Sequence, residues 1–356
     1  MARKFNFNPG PSTLPLPALE EAQRRLVDHG EGLSVLEMSH RSPTFQAILD
    51  DAKKTLGRLL SLPDDYDVLF LQGGASLQFA MVPMNLGPGG AYVNTGSWSE
   101  KALAEAKTVG EATEIWSSKE GGHRRVPRPD EKLEVPSGAP YLHITTNNTI
   151  YGTQWRHVPD SPVPLVADMS SDFLSRPLDV SKFGLFYAGA QKNAGPSGVT
   201  VVVGKRSVLE NFSGASWVPK ILRYQTHAKA DSLYNTPSTF GIWLCGLVFR
   251  WIESEGGLEE MARRAETRAA LLYEAIDRRP DVFLGHAEKE SRSRMNVTFR
   301  LPSEEAEKRF LAEAEAAGCI GLKGHRSVGG IRASIYNALP LEAVETLASL
   351  MDRFQP

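Results

Sequence analysis

Between about residue 66 and residue 204 the chain repeats one pattern, a short apolar run followed by a helical or turn-rich segment. Val68–Leu71, Tyr141–Thr145, Leu165–Ala167 and Val199–Val203 are such runs. A strand with one face in water alternates apolar and polar residues, whereas a strand covered on both faces is apolar throughout. The repetition predicts an α/β fold: a large domain around a mostly parallel central sheet, with a ligand site at the carboxyl ends of its strands. Ahead of it, Phe45, Ile48, Leu49, Ala52, Leu56, Leu59 and Leu60 fall on one face of a helix over residues 43–60. From about residue 258 the texture changes. A charged helix (Leu258–Arg278), a strand-like Asn296–Phe299, a helix over 303–317, a strand-like Ile331–Ile335 and an amphipathic helix from Pro340 predict a smaller α+β domain. The expected division is 16–257 and 258–356, with the Pro-rich arm 1–15 packing on the second part. No repeat, Gly/Ser linker or long charge block separates the two, so they are expected to pack together.

Composition removes several classes of function. The 40 Lys+Arg and 42 Asp+Glu leave a formal charge of −2, with no positive excess to condense on nucleic acid or anionic lipid. Cys245 and Cys319 are the only cysteines, each in an apolar setting. Two isolated cysteines make neither a disulfide framework nor a zinc site, so no metal is expected and a reducing cytoplasm is the simplest home. Arg3 and Lys4 have no apolar stretch behind them, unlike a secretory signal. The longest apolar stretch, Gly241–Trp251, is interrupted at Arg250 and is too short to span a bilayer.

Three strand ends carry residues of chemical interest. Val68–Leu71 runs into Gln72-Gly73-Gly74-Ala75-Ser76 and then a helical pattern. Free amides at a helix start hold a phosphate, and Ser76 adds a hydroxyl, although a glycine turn can serve strand-to-helix geometry alone. Leu185-Phe186-Tyr187 leads through small residues to a single lysine, Lys192. A partly buried lysine has a lowered pKa and becomes nucleophilic. Val163–Ala167 ends in Asp168. An aspartate there can simply cap the next segment, yet with a phosphate turn and a lysine it matches pyridoxal phosphate, whose pyridine nitrogen it would keep protonated. Trp98 follows another apolar strand and can stack on a planar ring, and Thr149 lies in a polar stretch where it can donate to a ring substituent or phosphate. His40-Arg41, His325-Arg326 and Arg332, the last within an apolar strand, point to an anionic substrate.

These residues resemble the phosphoserine aminotransferases, a class-V family of fold type I pyridoxal-phosphate enzymes, over nearly the whole length. The likeness rests on Phe7-Asn8-Pro9-Gly10-Pro11, Ser39-His40-Arg41-Ser42, Gln72–Ser76, Ala188-Gly189-Ala190-Gln191-Lys192-Asn193, Tyr234-Asn235-Thr236-Pro237 and Gly329–Asn337. The resemblance implies Lys192 as the Schiff-base lysine, Asp168 at the pyridine nitrogen and Trp98 stacked on the ring. It implies Ala75, Ser76, Thr149 and Gln191 as further cofactor contacts, with Asn235 and Thr236 reaching the cofactor phosphate from the second subunit of a homodimer. Arg332 would hold the substrate α-carboxylate, while His40, Arg41, His325 and Arg326 would line one pocket for the glutamate side chain and the substrate phosphate. The implied reaction moves an amino group from L-glutamate to 3-phosphohydroxypyruvate, giving 2-oxoglutarate and O-phospho-L-serine for serine biosynthesis. Use of 4-phosphohydroxy-L-threonine, from vitamin B6 synthesis, stays open because pocket shape decides it. Arg223, where the family usually has an acid before the tyrosine, touches none of these roles. A cysteine desulfurase on the same fold would need a reactive cysteine, a cofactor-binding scaffold would not need the His-Arg pairs, and a nicotinamide enzyme would need a glycine fingerprint that is missing.

Overall fold

The computed structural model describes residues 3–30 and 32–356. At its centre is a seven-stranded sheet in the spatial order Tyr66–Leu71, Thr200–Lys205, Leu185–Gly189, Leu165–Asp168, Leu142–Thr145, Gly90–Asn94 and Ala112–Ser117. All neighbours are parallel except those of Thr200–Lys205, which runs antiparallel to both. Alternate residues of each strand feed separate cores, as the two-residue period requires. Val68 and Phe70 join the core that holds Phe45, Leu49 and Ile242, while Leu69 and Leu71 join the one that holds Phe79, Met81 and Tyr187. Covering both faces is what made the strands apolar throughout. The edge strand Ala112–Ser117 is half exposed and carries Thr113 and Glu114, so it lacks that signature.

Two capped helices cover the first face. Pro43–Leu59 starts where Ser42 accepts a hydrogen bond from the Phe45 amide, with Pro43 at the first helical position. Thr239–Ser254 starts at Ser238, which accepts from the Gly241 amide. Its apolar run is explained by near-complete burial, Ile242, Trp243, Leu244 and Val248 all lying inside. Gly74–Leu86 and Ser97–Val109 lie on the opposite face.

The chain's second large core is built on a three-stranded antiparallel sheet, Leu284–Gly285, Asn296–Arg300 and Ile331–Ser334. Phe283, Phe299, Phe310 and Phe354 meet edge to face within it. The helix Gly257–Arg278 belongs to both sides of the molecule. Leu258 and Met261 enter the first core, whereas Ala269, Leu272 and Ile276 enter the second. The arm also lies on the second core: Phe5–Asn6 pairs in parallel with Cys319–Ile320, and Phe7 is buried there.

A buried polar seam joins the two halves. Asn147 donates through Nδ2 to Asn296 Oδ1 at 2.8 Å, and Asn296 donates to Ser334 Oγ at 2.9 Å. Tyr336 closes the seam by donating to the Pro9 carbonyl at 2.9 Å. Beside it Gly152 turns the chain at φ +70°, and a β-carbon there would stand 2.7 Å from the Asn296 carbonyl oxygen. Left-handed backbone and a contact with main chain both disfavour any side chain. Gly152→Ala is therefore expected to lower unfolding stability by about 2–4 kcal/mol in denaturant titrations; a loss under about 0.5 kcal/mol would show that this turn yields.

Candidate active site

The carboxyl ends of the parallel strands converge on one place. Asp168 is the last residue of its strand, and Lys192 follows the strand Leu185–Gly189 across a tight turn. The arm straps that turn, since the Ser12 amide donates to the Gln191 carbonyl at 2.9 Å and Ser12 Oγ donates to the Lys192 carbonyl at 2.5 Å. Gly10 fits against the lysine stem, where a β-carbon would lie 3.3 Å from Lys192 Cγ.

Lys192 Nζ donates to Thr149 Oγ1 at 2.7 Å and lies 5.8 Å from the centroid of the Trp98 ring. Arg332, buried on the strand Ile331–Ser334, donates through Nη1 to the Thr149 carbonyl at 3.4 Å. Thr149 thus ties the amine to the guanidinium. Burial pushes the Lys192 amine down to about 8; the charge of Asp168 opposes this, Arg332 adds to it and Asp172 opposes it. Asp168 is buried in turn, and its carboxyl is raised by that burial against the hydrogen bond from Ser170 and the charge of Lys192. Its Oδ1 accepts from the Ser170 amide at 2.9 Å, so the capping use of Asp168 is also realised.

At the neighbouring strand end, Gly73 at φ +89° opens the helix Gly74–Leu86. A β-carbon on Gly73 would stand 2.6 Å from Leu77 Cδ2. The first amides of that helix, including those of Ala75 and Ser76, have no carbonyl one turn back to receive them. Gln191 folds over Gly189, whose added β-carbon would be 2.6 Å from Gln191 Oε1.

The remaining predicted residues stand further out. His325 and Arg326 sit on an exposed turn, with His325 Nδ1 hydrogen-bonded to Ser327 Oγ at 2.7 Å. Burial and then the charges of Arg332, Lys101 and Arg326 lower the His325 pKa. Asn235 and Thr236 lie on a loop held by Gln72, which donates to the Thr236 carbonyl at 3.3 Å. His40 is buried and Arg41 exposed ahead of the helix Pro43–Leu59. Among the described residues, no hydrogen bond or ion pair joins either to Lys192, Asp168 or Arg332. Arg223 donates to the Val218 carbonyl at 2.8 Å and has no part in the cluster.

Sequence reasoning missed a second buried acid. Asp172 accepts from Thr146 Oγ1, from Gln154 Nε2 at 3.1 Å, and faces Arg176 at 4.0 Å. Its position four residues after Asp168, in Asp-Met-Ser-Ser-Asp, was the available signal. On the neighbouring strand, Tyr187, the register partner of Asp168, is hydrogen-bonded to His143 Nε2 at 2.8 Å, and burial pushes His143 down to about 3, leaving it neutral. Lys101 was missed as well; its Nζ stands 4.5 Å from the Trp98 ring centroid. The two cysteines are buried, which pushes the Cys245 thiol up and Cys319 up to about 11, so neither supplies a thiolate for desulfurase chemistry.

Pyridoxal phosphate fits this donor set. A desolvated amine, a buried carboxylate, an indole with an unpartnered buried Nε1 and a helix start with free amides answer its aldehyde, ring nitrogen, ring face and phosphate. Arg332 Nε is likewise buried without a partner. With the sheet order and these strand ends, the class is that of the pyridoxal-phosphate-dependent aminotransferases. The class-V aminotransferase family model matches residues 4–347, and the chain belongs to that family and, within it, to the phosphoserine aminotransferases. It is 57% identical to phosphoserine aminotransferase of Geobacillus kaustophilus over 359 residues, covering 100% of this chain and 99% of that protein. The solved phosphoserine aminotransferase of Bacillus circulans subsp. alkalophilus superposes with a TM-score of 0.96 at 49% identity, covering 99% of this chain and 98% of that one. The pyridoxal-phosphate-bound enzyme of Trichomonas vaginalis superposes at 0.92 with 36% identity, covering 99% and 100%.

An amine reacts with an aldehyde only when neutral, and Lys192 is protonated below pH about 8 and neutral above it. Reductive methylation of the apoprotein, read at Lys192 by peptide mass spectrometry, should therefore accelerate with pH and level off above about 8. An inflection at the ordinary lysine value would show the amine to be solvated.

Proposed function

We propose that this chain transfers the amino group between L-glutamate and 3-phosphohydroxypyruvate, giving 2-oxoglutarate and O-phospho-L-serine in serine biosynthesis, with pyridoxal 5'-phosphate as carrier. The observation that carries the proposal is the Lys192–Thr149–Arg332 link, which sets a neutralisable amine beside a buried guanidinium. The identity to the phosphoserine aminotransferases supports the choice of substrates.

The bound cofactor supplies an electron sink for the negative charge left when a substrate α-proton is removed. Lys192 Nζ takes that proton and returns it. Asp168 would hold a proton at the ring nitrogen, Trp98 would lie against the ring, and Ala75, Ser76, Thr149 and Gln191 would hold the phosphate and ring substituents. Arg332 binds the α-carboxylate, a planar bidentate match. His325 and Arg326, with His40 and Arg41, take the distal anion, which is a carboxylate in glutamate and a phosphate in the other substrate.

The same proposal includes a homodimer in which Asn235 and Thr236 of the partner subunit reach the cofactor phosphate. Trp217 (59% exposed), Ile221 and Tyr234 lie near that loop in sequence, with Val27 (83%) and Leu36 (60%) also exposed, and apolar surface of this kind is what a second copy covers. Among the described residues no hydrogen bond or ion pair joins His40 or Arg41 to the lysine cluster of their own chain, which agrees with a role across the dimer. The division into 16–257 and 258–356, with arm 1–15 on the latter, and a cytoplasmic location complete the reading. Among the described residues no helix is long and apolar enough to cross a membrane.

Glutamate is expected to bleach the visible band of the loaded protein and 3-phosphohydroxypyruvate to restore it. A band indifferent to glutamate would remove the transaminase reading. Lys192→Ala should lower turnover by on the order of 10²–10⁴-fold or more, as loss of a positioned proton carrier does, and normal turnover in that variant would remove the proposed role of the lysine.

A further inference from the structure

The helix Ser97–Val109 presents more than the indole of Trp98. Lys101, one turn further along, falls on the same helix face. Its Nζ stands 4.5 Å from the centroid of the Trp98 ring, and Lys192 Nζ stands 5.8 Å from the same centroid. Lys101 therefore borders the ring that borders the reactive amine. The positive charge of Lys101, with those of Arg332 and Arg326, adds to burial in lowering the His325 pKa, which agrees with this placement. Lys101 makes no ion pair among the described residues; its neighbour Glu100 is engaged with Lys119 at 3.0 Å and with His123 at 3.7 Å. An exposed cation at this point, held over an indole and unpaired, has charge to offer a ligand.

We propose that Lys101 is a specificity residue for the phosphate end of the substrate, adding an ammonium beside Arg326 and His325 at the distal-anion pocket. This deepens the proposed function and rests on it. One pocket has to serve a carboxylate in one half-reaction and a phosphate in the other. An ammonium is a compact point charge without the fixed fork of a guanidinium, so it selects for charge more than for shape. Coulomb energy scales with ligand charge, and a phosphate dianion feels Lys101 about twice as strongly as a carboxylate does. If removing the charge weakens the dianion about tenfold, the monoanion should weaken only about threefold, the square root of that factor.

Lys101→Met tests this in the loaded enzyme. KM for O-phospho-L-serine should rise about tenfold and KM for L-glutamate about threefold, with kcat much less affected. Calorimetry should show inorganic phosphate binding weakened by a similar factor, about tenfold, independent of turnover. Lys101→Arg, which keeps the charge, should recover most of both. Lys107→Met, the same charge change further along the helix, should leave the selectivity ratio as it was. Equal losses for both substrates would show that Lys101 acts only by positioning Trp98, and unchanged KM and phosphate affinity would show that it does nothing at the pocket; either overturns the proposal. A wild-type enzyme inactive toward O-phospho-L-serine would instead overturn the function on which it rests.

Discussion

A primary amine kept out of water is an unstable thing to build, and much of the chain is arranged around holding one. Burial alone would favour neutral Lys192, while Asp168 and Asp172 pull its pKa back up and Arg332 pushes it down again. The amine is left near the pH at which it can switch, with Thr149 accepting its hydrogen bond. That balance requires two carboxylates that are themselves buried, each stabilised by hydrogen-bond donors: the nearby Ser170 amide for Asp168, and Thr146 and Gln154 from an earlier stretch of the chain for Asp172. A dry, doubly covered sheet supplies the low-dielectric setting, and its strand ends supply the only places where such groups can meet open space.

What could be read from the sequence, and what could not, follows from how local each signal is. Apolar runs marked most of the central strands because both faces of the sheet are covered, but the same burial hides direction, so nothing in Val199–Val203 announced an antiparallel strand. The edge strand Ala112–Ser117 carried no run because half of it meets water. Among site residues, Lys192, Asp168 and Gly73 stood out because each is a chemically odd residue at the end of an apolar strand. Asp172 and His143 did not, since their meaning lies in partners far along the chain, Gln154 for one and Tyr187 for the other. Lys101 carried no such mark, since it is an exposed residue of a helix and its nearness to the reactive amine runs through the Trp98 ring.

The polar seam between the halves obeys a different logic from the cores. Asn147, Ser293, Asn296, Ser334 and Tyr336 are buried and satisfy one another in a directional network. Apolar surfaces slide at small cost, whereas a buried hydrogen bond that loses its partner is penalised in full. The seam therefore fixes the register between the sheet and the small core, and with it the distance from Arg332 to Thr149.

The arm adds a mechanical link to that fixed geometry. Its residues Phe5–Asn6 are a strand of the small core, Phe7 is buried there and its carbonyl receives the Ser334 amide, while Ser12 grips the peptide carbonyls of Gln191 and Lys192. Phe7 and Ser12 are only five residues apart, so the slack between the two anchorages is small. A tilt of the small core is thus delivered directly to the backbone that carries the reactive amine, and Arg332, seated in the same core, travels with it. The group that grasps a substrate and the group that works on it are tied by a short tether, and neither can shift far without pulling the other along.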